Sequence, residues 1–86
     1  MIYGGDIEQL ADLHAAFTTE ACTTRDLVAR IGGRLAGVTW TGPAADRFRA
    51  AWHDQFQPAL SGLAEALDEA SAEVVRRREA LVQVSL

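Results

Sequence analysis

Apolar and small residues recur at alternating steps of three and four along the first part of the chain. The row reads Ile7, Leu10, His14, Phe17, Ala21, Thr24, Val28, Ile31, Leu35, Val38, with Leu13 and Leu27 widening it on one flank. Such spacing places one continuous stripe on an α-helix. The opposite side carries Glu8, Asp12, Arg25, Asp26 and Arg30. Asp6 suits an N-cap, Glu8 suits the first turn, and Arg30 and Arg34 suit the last turns of the helix dipole. The pattern predicts a helix over about residues 6–38, with an earlier stop at Ile31 as the alternative. Gly32, Gly33 and Gly37 lower helix propensity there.

The segment Val38-Thr39-Trp40-Thr41-Gly42-Pro43 reads as a turn. Pro43 fits the first position of a new helix, where a missing N–H costs nothing, and Thr41 or Gly42 would be its N-cap. A second stripe follows in Ala45, Phe48, Trp52, Phe56, Ala59, Leu63, Leu67, Ala70, Val74 and Leu81. It predicts a second helix over about residues 43–82. Pro58 lies inside it, where a proline removes a hydrogen bond and clashes with the preceding turn. We expect a kink or short break between Asp54 and Pro58, with the stripe resuming in phase beyond it. The short turn makes the helices antiparallel. The expectation is a single all-α hairpin domain. Leu10, Phe17, Val28, Ile31, Leu35, Phe48, Trp52, Phe56, Leu63 and Leu67 would pack its core or a dimer, with Phe48 and Trp52 inside. Both stripes are too wide for one hairpin to cover, so two hairpins are expected to form a four-helix bundle.

Composition sharpens this picture. The chain has 86 residues, of which 49% are hydrophobic and 7% aromatic. A domain of this size gains from a disulfide, a metal or oligomerisation. The single cysteine, Cys22, forms no internal disulfide, and the two histidines give no metal-ligand pattern, which leaves oligomerisation. The net charge is −4, and all 8 basic residues are arginine. An acidic balance argues against nucleic-acid binding. It also argues, with the lack of lysine on the polar face, against a membrane-disrupting hairpin. No apolar run approaches the roughly 20 residues that span a bilayer. The start of the sequence lacks the charged and apolar regions of a secretory leader, so any export is expected by a non-Sec route.

Candidate chemistry is sparse. His53 and Asp54 lack a nucleophile, and adjacent residues point to different helix faces. His14 lies on the apolar stripe and reads as a packed residue. Arg76, Arg77 and Arg78 read as a solvated helix end favoured by the dipole. No phosphate loop, metal cluster or catalytic spacing is evident, and no cofactor or enzymatic activity is expected.

The turn Trp40-Thr41-Gly42, followed by Ala44, Ala45, Phe48 and Trp52, lies near the middle of an all-helical chain. In this it resembles the WXG-100 (ESAT-like) family, the small substrates and partners of type VII secretion systems in Gram-positive bacteria. The resemblance spans essentially the whole chain. It implies a secreted or co-secreted protein, cytoplasmic before export, that pairs as a homodimer or with a related hairpin and is presented to an export ATPase. Trp40 and Gly42 would be the turn motif. Members often carry a tail signal of tyrosine and an acidic residue, but the only tyrosine here is Tyr3. A looser form is matched by Val75, Glu79, Val82 and Leu86, a spacing that is also one helical face. The resemblance further implies that an antiparallel pair brings one chain's turn beside its partner's tail as a composite signal. The alternative is a targeting partner or chaperone for a larger toxin with a helical leader.

Overall fold

The computed structural model describes residues 7–85, with the side chain of Ser85 excluded. Asp6, expected as an N-cap, and Leu86, the last residue of the tail pattern, lie outside them. The described chain is helical from end to end except at the central turn, and no strand occurs in it. Helix α1 spans Ile7–Gly37 with Glu8 in its first turn and Arg34 in its last, so charge opposes the dipole at both ends. Helix α2 spans Pro43–Ala51, a π-helical turn covers Trp52–Phe56, and helix α3 runs Gln57–Ser85.

Gly42 is the N-cap of α2, with φ 114° and ψ 174°, a combination open essentially to glycine alone. A side chain there would meet no atom within 4 Å, so the requirement comes from the backbone and not from crowding. Pro43 takes the first helical position, and the Asp46 N–H donates to the Gly42 carbonyl at 3.0 Å. Asp46 adds negative charge in the first turn.

The hairpin is a rod of 63 × 18 × 16 Å with a radius of gyration of 18.9 Å. A compact chain of this length would have about 12 Å. The backbones approach closely where α1 runs beside α3, while α2 stands off from α1. Ala21, Ala45 and Ala64 are fully buried, as small residues permit close helix approach. No large side chain is fully buried among the described residues.

On α1, every stripe position from Ile7 to Leu35 is buried or half-buried, and Val38 is exposed. The second stripe differs. Ala45 and Trp52 lie on the inner seam, and beyond the π turn the seam continues through Leu60, Ala64, Leu67, Ser71, Val74 and Leu81. The steps are seven residues, or a four and a three that make seven, except from Trp52 to Leu60, which is eight. The π turn absorbs the extra residue. Its wider loop carries a bond from the Gln57 N–H to the Trp52 carbonyl, five residues back. This is how the helix accommodates Pro58: a π turn stands where a kink or short break was expected, and the predicted stripe is lost at Ala59 and Leu63 but holds at Leu67, Ala70, Val74 and Leu81, all half-buried. The slip moves Phe56 and Leu63 off the seam, to 45% and 49% exposure. Phe48, expected inside, is 38% exposed, because Arg49 takes the half-buried place beside Ala45.

Candidate functional site

Two features distinguish the turn half of the rod. The first is an apolar face. Leu27 and Ile31 of α1 meet Phe48, Trp52, Phe56, Ala59 and Leu60 along a groove of about 420 Å³ lined by apolar residues. A neighbouring groove of about 500 Å³ runs on to the turn through Ile31, Leu35, Val38 and Phe48, with Arg34 on its rim. The aromatic rings form a row: Phe48 is 6.1 Å from Trp40, 6.5 Å from Trp52 and 6.3 Å from Phe56, centroid to centroid. These separations lie within the favourable range for ring pairs. Single exposed apolar residues are ordinary, but a continuous strip is the mark of an interaction surface.

The second feature is the turn. Trp40 is 41% exposed, one side of its ring against Phe48. The Arg49 guanidinium lies 5.6 Å from the centroid of that ring. It donates to the carbonyls of Trp40 at 2.5 Å, Leu35 at 3.1 Å and Val38 at 3.4 Å. These groups sit at the C-terminus of α1, where carbonyls lack partners within the helix. A cation placed there contributes about 0.5–2 kcal/mol. The chemistry was not read from the pattern of apolar residues, since Arg49 occupies a seam position four after Ala45. An arginine in a helix seam beside a turn is the signal that would have found it.

The other half of the rod holds a polar latch. Ser71 is 5% exposed; its Oγ lies 2.5 Å from His14 Nδ1 and 3.0 Å from Thr18 Oγ1. His14 Nδ1 is also 3.3 Å from the Ser71 carbonyl. No buried side-chain polar atom among the described residues lacks a partner. Nearby, Arg25 and Asp68 pair across the helices at 2.6 Å with both side chains about half exposed. The hydrogen bond to Asp68 is the main cause that pushes the Arg25 guanidinium above its ordinary value.

Of the tail positions, Val75 is half-buried, and Glu79 and Val82 are exposed. Arg76 pairs with Glu73, while Arg77 and Arg78 are exposed. His53 Nδ1 and Asp54 Oδ1 do meet, at 3.0 Å, although neighbouring positions were expected to diverge. They lie on the π turn, and both side chains are largely solvent-exposed. Cys22 is exposed. No group of three or more His, Cys, Asp or Glu converges among the described residues. No helix among them is long and apolar enough to cross a membrane. The chain matches no protein-family model, and no curated protein or solved structure is significantly similar to it.

Proposed function

We propose that this chain is a small helical interaction protein that acts by pairing its exposed apolar face with a second hairpin, and that it displays the Trp40 turn as a secretion substrate or co-secreted partner of a type VII system. The observation that carries the pairing is the strip of Leu27, Phe48, Phe56 and Leu63, each between 38% and 49% exposed, in a rod with no large side chain fully buried. The chain exposes 6183 Å². A compact protein of 9.3 kDa would expose about 5,000 Å². The excess of roughly 1,200 Å² is comparable with what one partner contributes to a stable interface.

Charge favours an antiparallel pair. Residues 28–57 carry Arg30, Arg34, Arg47 and Arg49 against Asp46 and Asp54, so the turn half is basic. The rest of the described chain is acidic, with arginine only at Arg25 and Arg76 to Arg78. Antiparallel pairing sets the basic turn half of one hairpin beside the acidic half of the other, which suits attraction and register. The resulting four-helix bundle would bury Phe48, Phe56 and Leu63 and leave the two turns at opposite ends.

The secretion reading rests on the Trp40-Thr41-Gly42 turn. Its glycine has a backbone conformation that requires glycine, and its tryptophan is held at the surface by Arg49 and Phe48. Pairing with a related hairpin, or with the helical leader of a larger toxin, would use the same strip.

Light scattering on the purified chain tests the pairing. The expected result is a dimer, with Phe56→Ser weakening association by about 30-fold or more, the effect of losing a hot-spot side chain. Its helical circular dichroism should be retained. A helical monomer that stays monomeric at high concentration would remove self-pairing and leave a different hairpin as the partner. For the turn, Trp40→Ala is expected to pair normally and to lose export from the native host. Unchanged export would remove the secretion reading.

A further inference from the structure

We infer that Arg49 is the positioning residue for Trp40: its guanidinium clamps the end of α1 to the start of the second helical arm and fixes the orientation in which the indole is displayed. The inference rests on the proposal that the turn is a display element, but its first readout does not depend on that.

An arginine in a helix seam is costly unless its charge and donors are matched. Arg49 is half-buried at the place where the α1–α2 seam would otherwise take an apolar side chain. Its donors go to three carbonyls spread over residues 35 to 40, which brackets the end of α1 and the approach to the turn. A guanidinium offers five N–H donors in a rigid fork, so one group can hold several carbonyls at once. A lysine ammonium is a point charge on a flexible stem and does not reproduce that fork. The shortest of the three bonds goes to Trp40 itself, and the same group lies 5.6 Å from the Trp40 ring centroid. Backbone and ring of one residue are thus held by one side chain. Phe48 flanks the ring at 6.1 Å, one position before Arg49. The residue that presents the indole is therefore in α2, nine residues after it.

The chain has two tryptophans, Trp40 and Trp52. In the full chain carrying Trp52→Phe, Trp40 is the sole tryptophan, and its acrylamide quenching and fluorescence anisotropy report its accessibility and mobility. Arg49→Gln and Arg49→Lys are compared with Arg34→Gln, which removes a different arginine from the last turn of α1. Since Trp40 is now 41% exposed, release should raise its quenching constant up to roughly two-fold in Arg49→Gln and lower its anisotropy, given the loss of the cation at its face. Arg49→Lys should fall between, and Arg34→Gln should leave both readings unchanged. Helical circular dichroism identifies any variant that loses the fold. Unchanged quenching in a folded Arg49→Gln overturns the inference, as does an equal rise in Arg34→Gln, which would assign the effect to helix-end charge. Export of Arg49→Lys separates the two ideas. Looser Trp40 with export unchanged keeps the clamp and removes the display reading, while tight Trp40 with export lost removes the clamp.

Discussion

The two halves of the rod solve the same packing problem in opposite ways. Where α1 runs against α3 the backbones are close, alanines fill the contact at Ala21 and Ala64, and the buried polar group is a shared latch of Ser71, His14 and Thr18. Around α2 and the π turn the helices stand apart, aromatic rings fill the gap only in part, and apolar surface is left over. The first half is closed by what the chain itself provides. The second is closed only along its inner edge, and its outer rings are left exposed. Small residues bring helices together and use up their seam, whereas large residues hold them apart and extend past the partner. The π turn marks the boundary, because its extra residue turns the second arm so that Phe56 and Leu63 leave the seam.

Three experiments test that contrast. The largest effect is expected at the closed contact. Ala64→Leu places a branched side chain where alanine is fully buried, and overpacking should cost about 1–3 kcal/mol. The same change at Ala59, an exposed residue of the open groove, should leave the thermal midpoint unaltered or raised. Equal losses at the two sites would show that the halves are packed alike.

A smaller effect is expected at the latch. Ser71→Ala removes the hydroxyl shared by His14 and Thr18 and should lower stability in urea by about 1 kcal/mol. His14 keeps the Ser71 carbonyl as a neighbour, which limits the loss. A double-mutant cycle with Thr18→Val should show coupling, since both side chains use the one oxygen. Independent effects would mean that the latch is not a unit.

The smallest effect has the opposite sign. Gly33 is an exposed helical glycine of the turn half with nothing within 4 Å of an added Cβ. Gly33→Ala should stabilise the chain by about 0.5–1 kcal/mol through helix propensity. A loss on substitution, growing with protein concentration, would place Gly33 against a partner instead of solvent.

Much of the architecture is legible in the residue pattern. The α1 stripe can be read from Ile7 to Leu35 because an uninterrupted α-helix keeps one periodicity, and local spacing alone sets which side is buried. The turn is legible too, since Gly42 and Pro43 carry backbone restrictions of their own. The second stripe is legible only in part, at Ala45, Trp52, Leu67, Ala70, Val74 and Leu81 and not at Phe48, Phe56, Ala59 and Leu63. Pro58 signals a disturbance, but kink, break and π turn all satisfy it, and each gives the residues beyond a different rotation. Phe56 and Leu63 look like core by spacing and lie on the outside for that reason, whereas Phe48, ahead of the π turn, is displaced by Arg49.

The sequence by itself determined two amphipathic helices, their antiparallel connection and a glycine-dependent turn, because propensity, periodicity and backbone restriction act over a few residues. Only the tertiary structure decided which faces meet. It set the one-residue slip at the π turn, placed Arg49 on the carbonyls that end α1, and joined Ser71 to His14 across 57 positions of chain. Those outcomes depend on the rotation of one helix against another, a quantity that no local pattern carries once the helical phase has shifted.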